Sequence, residues 1–258
     1  MKKRLDLILF EQGYFDSKNS AQVNILAGNV KINDIKVSKA GEMYDEDKLF
    51  DPNHPVKLEI KTMPYVSRGG LKLKGAIDEF KINLKDKICI DIGASTGGFT
   101  DCMLQEGAKF IYAVDVGYGQ IAWKLRSDTK VKVIEKANVK NCTEEEIFGE
   151  NIPAENDMPK FLSMDLSFIS IKKVLQNVLN FTSKEAEMVL LIKPQFEAEK
   201  HQIQKGGVVK DEKIHNKIID DIKEFAKSLS LETLGVIKSP IQGAKQGNTE
   251  YLIYLRRI

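Results

Sequence analysis

Apolar residues recur along the chain with two periods, and the change between them divides it. Near the start, Leu5, Ile8 and Leu9 fall at i, i+3 and i+4, which predicts a short helix stopping near Gly13. Ser17 is placed as an N-cap, and Ala21, Ile25 and Leu26 repeat at helical spacing until Gly28-Asn29 ends the run. Val30-Lys31-Ile32-Asn33 then reads as a strand entering a turn, with Asn33-Asp34 where Asn-Gly is favoured. Strict alternation returns at Val56-Lys57-Leu58-Glu59-Ile60, flanked by Pro52, Pro55 and Pro64. This pattern predicts a small α+β module over 1–60, a linker over 61–66 and a larger domain over 67–258.

The larger domain alternates apolar runs with helical periods. Strands are predicted over 88–91, 110–115, 131–135, 161–164, 188–192, 232–237 and 250–255. Helices are predicted over 71–80, 99–106, 120–126, 171–180 and 213–229. In the last, Ile214, Ile218, Ile222, Phe225, Ala226 and Leu229 share one face, which is a core signal. Strand–helix alternation argues for an α/β fold with a parallel sheet.

Composition adds little, but its distribution adds more. With 258 residues, 42% hydrophobic and 29% charged, the chain is ordinary globular material, and a net charge of +2 announces no global field for nucleic acid. Residues 1–41, however, hold seven cations against four anions. Residues 42–51 reverse this with five anions against Lys48, and 61–88 swing back with seven cations against three anions. Such blocks read equally well as solvated faces or as a phosphate-contact path. The longest apolar run, Met188–Ile192, is far too short to span a membrane, and no secretion signal is recognisable at MKKRLDLILF. Cys89, Cys102 and Cys142 show no C-x-x-C, as expected of reduced cytoplasmic thiols. His54, His201 and His215 lack metal-ligand spacing, so no metal is expected.

The strongest chemical signal is the run Lys87-Ile-Cys-Ile-Asp91-Ile-Gly93-Ala-Ser95-Thr96-Gly97-Gly98-Phe99-Thr100. A buried strand enters a glycine loop and a helix follows, so the backbone can approach a ligand closely and offer free N–H groups. It is neither a strict G-x-G-x-x-G nor a G-x-x-x-x-G-K-[ST] loop. Asp91 suits a cofactor with a positive ammonium or sulfonium group. Asp115 ends the next strand, at the offset where an acid binds ribose hydroxyls. Together these favour S-adenosylmethionine over a nicotinamide dinucleotide.

These residues carry a resemblance. DIGASTGGFTDCMLQEGA and DVGYGQIAWKLRSD, with YVSRGGLKL, DLSFIS, LIKPQFE, GGVVKD and SPIQGAKQGNTEY in order, resemble the TlyA family of ribosomal RNA ribose methyltransferases, related to the FtsJ/RrmJ-type fold. The resemblance covers nearly the whole chain. It implies a Rossmann-like, seven-stranded S-adenosylmethionine-dependent methyltransferase domain. It also implies an N-terminal RNA-binding domain of the ribosomal-protein-S-four type, through Arg4-Leu5-Asp6, Ser17-Lys18 and Gly28-Asn29-Val30. Lys18 stands where that pattern has Arg, which keeps the charge and loses the bidentate fork.

The resemblance implies a catalytic set of Lys72, Asp165, Lys193 and Glu250. A ribose 2′-hydroxyl is a poor nucleophile until it is oriented or partly deprotonated, and a lysine such as Lys193 can steer or take its proton. The implied cofactor contacts are Asp91, Gly93, Ser95, Gly97, Phe99, Asp115, Val116, Asn138 and Asp165. The implied RNA contacts are Lys3, Arg4, Lys18 and Arg68, with Lys61, Lys74, Lys85 and Lys87 extending the path. Trp123 is read as packing on its helix. The activity implied is cytidine 2′-O-methylation of ribosomal RNA in ribosomal subunits in the cytoplasm. The short ends point to the large subunit, and the family links the reaction to capreomycin and viomycin susceptibility. The competing readings are a non-catalytic RNA-binding assembly factor, a membrane-active haemolysin and, least, a nicotinamide oxidoreductase.

Overall fold

A computed structural model describes residues 2–15, 17–53, 55–61, 63–243 and 248–258. Asp16, His54 and residues 244–247 of the SPIQGAKQGNTEY motif lie outside the described residues. The chain divides into two compact units, Met1–Pro64 and Tyr65–Ile258.

The first unit runs β1 (Lys2–Arg4), α1 (Leu5–Glu11), α2 (Lys18–Leu26), β2 (Val30–Ile32), β3 (Ile35–Lys36), β4 (Met43–Asp45), α3 (Glu46–Leu49) and β5 (Leu58–Ile60). Strand β1 pairs antiparallel with β4, and β2 lies between β3 and β5. The apolar stripes of both main helices meet: Leu5, Ile8, Leu9, Ala21, Ile25 and Val30 are fully buried together. Ser17 caps α2, its hydroxyl accepting from the Ser20 amide at 3.1 Å. Asn33 and Asp34 both take positive φ, 49° and 66°, so the β2–β3 turn keeps the two-residue primed geometry without glycine. Short polar side chains tolerate that region better than other non-glycine residues.

The second unit runs α4 (Gly69–Phe80), β6 (Ile88–Ile92), α5 (Gly98–Gln105), β7 (Phe110–Val114), α6 (Trp123–Arg126), β8 (Val131–Ile134), α7 (Glu144–Phe148), β9 (Phe161–Met164), α8 (Leu175–Val178), β10 (Glu187–Ile192), α9 (Pro194–Glu197), α10 (Glu212–Ser228), β11 (Leu231–Lys238) and β12 (Tyr251–Arg257). Among the described residues the sheet has seven strands in the order β11-β12-β10-β9-β6-β7-β8. Both faces are covered, which explains the near-continuous apolar strands. Ile90, Ile92, Leu162 and Leu190 face Ile218 and Ile222 of α10, while Cys89, Phe161 and Val189 face Leu73 and Ile77 of α4 and Met103 of α5. All three cysteines are free and buried.

Three expectations need correction. The sheet is mixed, because β12 runs antiparallel to both β10 and β11. The rule of alternation does not reach these last strands, since among the described residues β11 and β12 follow one another without a helix between them. The predicted helix over 171–180 is broken into a 3-10 turn at Ile171–Lys173, α8, and a second 3-10 turn at Leu179–Phe181. Ile171, Val174, Leu175, Val178, Leu179 and Phe181 are buried regardless, so the apolar period is satisfied without a continuous helix. Trp123 does not pack: it is 77% exposed, and Leu125 takes the buried position of α6. No helix of the described residues is long and apolar enough to cross a membrane.

Candidate active site

The carboxyl ends of β6, β7, β9 and β10 open on one edge of the sheet, where ligands of open α/β sheets bind. Each strand there delivers one feature: the glycine loop after β6, Asp115 after β7, Asp165 after β9 and Lys193 after β10. Glu250 arrives differently. It precedes β12, whose antiparallel course pairs Tyr251 with Ile192 and so sets Glu250 beside the end of β10. Lys72 comes from α4, on the same buried face as Leu73 and Ala76.

The glycine loop is shaped by close approach. Gly93 has φ 85°, and a Cβ there would lie 2.5 Å from the Asp165 carbonyl oxygen. A Cβ on Gly98 would lie 2.3 Å from Ser67 Oγ and 2.8 Å from the Gly70 nitrogen, so the starts of α4 and α5 touch at backbone distance. The loop is latched to β7 by Asp115, whose carboxylate accepts from the Ser95 amide at 2.7 Å and the Gly117 amide at 2.6 Å.

Lys72, Asp165, Lys193 and Glu250 meet in one cleft of about 290 Å³, with Arg68 and Phe99 also in its walls. Lys72 Nζ donates to Glu250 Oε2 at 2.7 Å and lies 3.7 Å from Asp165 Oδ2. Lys193 Nζ lies 2.5 Å from Asp165 Oδ1, close as an ion pair but not aligned as a hydrogen bond, and it donates to Ser167 Oγ at 2.9 Å. Asp165 therefore stands between two ammonium groups. Lys72 and Glu250 are buried, so their pairing is required rather than decorative.

A second cleft, of about 480 Å³, shares Gly93, Ser95 and Asp165 with the first and adds Asp115, Val116 and Asn138. It has the size of a nucleoside cofactor site and presents an acid at its rim. Asp91 and Gly97 line neither cleft. Asp91 points under the loop, where it accepts from Thr100 Oγ1 at 2.6 Å and Ser163 Oγ at 2.9 Å. Burial pushes its carboxyl up to about 6 against the pull of those two hydroxyls. It ties β6 to α5 and β9 rather than facing a ligand. Gly97 instead packs on α6, with a built Cβ only 2.2 Å from Leu125 Cδ1.

The expected RNA contacts are dispersed in their pairing. Lys3 is bridged to Glu11 at 3.0 Å and Glu46 at 2.7 Å. Arg4 holds the buried Asp6 through two hydrogen bonds, 3.1 and 2.7 Å, which keeps that carboxyl below its usual range. Lys18 is exposed at the start of α2. Arg68 donates to the Gln242 carbonyl at 3.1 Å. Sequence reasoning missed Ser167, which partners Lys193, and Gln120, within 3.3 Å of Ser95 Oγ. Both stood in quoted motifs, Ser167 in DLSFIS and Gln120 in DVGYGQIAWKLRSD.

Comparison with known proteins gives the family. The FtsJ-like methyltransferase family model matches residues 65–257. Hemolysin A of Brachyspira hyodysenteriae is 41% identical, over 97% of this chain and 98% of that protein. The 16S/23S rRNA (cytidine-2'-O)-methyltransferase TlyA of Mycobacterium tuberculosis is 36% identical, over 99% of this chain and 90% of that one. A solved structure carrying the hemolysin label, from Streptococcus thermophilus, is 39% identical with a TM-score of 0.72, covering 99% of this chain and 88% of that one.

Proposed function

The chain belongs to the FtsJ-like methyltransferase family, and from that premise we propose that it methylates the 2′-hydroxyl of a cytidine in ribosomal RNA. The observation that carries this reading is the meeting of Lys72, Asp165, Lys193 and Glu250 in one cleft that adjoins a nucleoside-sized one. S-adenosylmethionine would supply the methyl group as an electrophile when bound. The second cleft fits it: Asp115 offers its carboxylate for ribose hydroxyls, and Asn138, Val116 and the backbone of Gly93 line it.

The residues of the first cleft then have separate tasks. Lys193 and Asp165 hold the ribose hydroxyl in line and steer its proton. Lys72, fixed by Glu250, holds Asp165 from the other side. Phe99 and the apolar wall beneath restrict water. The N-terminal unit, with Lys18 exposed on α2, is the RNA-holding module of this proposal, and in the second unit Arg68 lines the reaction cleft, where it can meet a phosphate of the substrate.

The test is incubation with labelled S-adenosylmethionine and separated ribosomal subunits, followed by mapping of the labelled nucleotide. Label recovered as 2′-O-methylcytidine is the expected result, and the subunit that carries it identifies the substrate particle. No transfer to either subunit would sink the reading and favour a non-catalytic RNA-binding factor.

A further inference from the structure

Ser167 lies in the walls of three clefts: the one that gathers Lys72, Asp165, Lys193 and Glu250, the one fitted to the cofactor, and a third of about 350 Å³ that also reaches Lys193. It is exposed there. Its segment is tied at both ends. The Asp165 amide donates to the Ile92 carbonyl at 3.0 Å, and Glu197 accepts from Ser170 Oγ at 2.5 Å and from the Ile171 amide at 2.7 Å. Glu197 belongs to α9, which begins directly after Lys193. The segments after β9 and β10, one carrying Ser167 and the other Lys193, are therefore stapled together. The rings of Phe168 and Phe196 meet across the same seam, with centroids 5.1 Å apart.

Lys193 has two polar neighbours of different kinds. Asp165 Oδ1 lies 2.5 Å from Nζ but off the hydrogen-bond direction. The pull between the two charges depends on their separation, so Asp165 fixes where Nζ sits and not where its hydrogens point. Ser167 Oγ accepts from Nζ at 2.9 Å, the one aligned hydrogen bond of this side chain among the described residues. Hydrogen bonds weaken steeply off line, so this contact sets rotation about the Cε–Nζ bond. The ring of Phe196, with its centroid 5.9 Å from Nζ, stands at the outer limit of attraction for a cation and gives no such direction.

Resting on the proposed transfer to a ribose 2′-hydroxyl, we infer that Ser167 is a positioning residue for that hydroxyl, acting through Lys193. With one N–H committed to Ser167, the other directions on the nitrogen keep constant bearings in the cleft. In the ammonium form, Lys193 points an N–H at the ribose oxygen and holds it. In the amine form, it points its lone pair there and takes the hydroxyl proton, becoming an ammonium. Without Ser167 the amine rotates freely about its last bond, and the hydroxyl meets the lone pair only part of the time.

The experiment uses the full chain, labelled S-adenosylmethionine and the ribosomal subunit that accepts label. It compares the unaltered chain with Ser167→Ala and Ser167→Thr. Ser167→Ala is expected to lower kcat by about ten-fold or more, with KM for the subunit and cofactor affinity by calorimetry within about three-fold. Ser167→Thr, which retains the hydroxyl, is expected to keep kcat within about three-fold of the unaltered chain. The pH profile separates positioning from a general loosening of the cleft. A hydroxyl acceptor favours the ammonium over the amine, so its removal moves the rising limb of kcat to lower pH, whereas loosening lowers the profile in place. Unchanged kcat in Ser167→Ala would overturn the inference, as would a lowered profile whose limb stays put, or equal losses in both variants. No transfer by the unaltered chain to either subunit would overturn the proposed function itself, an outcome distinct from transfer that ignores Ser167.

Discussion

Lys193 follows an apolar strand, a place where a cation ordinarily reaches for water. Here it turns back onto Asp165 and Ser167 inside a cleft. Lys193→Ala should leave the fold and cofactor affinity intact and lower methyl transfer by about a hundred-fold or more, measured as label incorporated per minute at saturating RNA. Activity near the unaltered level would remove the residue from its role. Asp91 yields a prediction of a different kind. Its carboxyl is held up to about 6, so between pH 4 and pH 6 the folded state binds a proton that the unfolded state has released. Stability from this group is therefore full below pH 4 and declines as pH rises to about 6, by an amount on the order of 2–3 kcal/mol. Asp91→Asn, which retains the size and meets both hydroxyls, should flatten that decline in urea unfolding followed by circular dichroism. An identical pH slope in both proteins would show that the group titrates normally. The two residues also mark what sequence can tell. Lys193's place in the cleft was legible through the LIKPQFE motif, whereas Asp91's place beneath the loop was not, because a strand's last residues alternate sides. Asp91 shares its side with Cys89, facing α5, and that phase decides what it touches.

At the scale of elements, most boundaries were legible because apolar period and burial coincide, as in β9 and α10. Strand direction was not. Nothing in the residues before Tyr251 says that β12 will insert antiparallel between β10 and β11, yet that direction is what carries Glu250 to Lys72. A parallel strand would have put it at the opposite edge of the sheet. The short pieces around α8 and α9 were also illegible, because a single turn leaves too few residues for a period to show. The glycine loop supplies the prediction at this scale. Gly93→Ala would force a Cβ against the Asp165 carbonyl, a backbone atom that cannot swing aside, at a positive φ that alanine resists. Loss of cofactor binding by at least ten-fold, together with a lower melting temperature, is expected. Full affinity in a normally stable variant would mean that the loop relaxes more freely than its contacts imply.

For the molecule as a whole, a net charge of +2 is a poor guide to partners. It averages basic stretches against the acidic 42–51 segment, and many of the basic residues are spent on internal pairs such as Lys3–Glu46, Arg4–Asp6 and Lys74–Glu106. Affinity for RNA therefore has to be measured rather than counted from lysines. Each unit has its own apolar core, Leu5 to Leu49 in one and the two faces of the sheet in the other. Residues 65–258 alone should accordingly fold and bind cofactor within about three-fold of the full chain, while affinity for ribosomal RNA falls by ten-fold or more and loses part of its salt dependence. A parallel loss of cofactor binding would show that the units depend on one another.

The three cysteines all belong to the second unit, and burial pushes Cys89 and Cys102 up to about 12 and Cys142 up to about 11. A thiol held neutral and out of reach reacts only when its surroundings open. The chain thus carries its own reporter, wired to one unit and silent for the other. Under alkylating reagent at neutral pH, modification should follow the opening of the sheet domain and ignore any fraying of the first 64 residues. Added cofactor should slow all three sites together if it stabilises that domain as one cooperative body, and fast labelling of native protein would show that the core breathes more than its packing suggests.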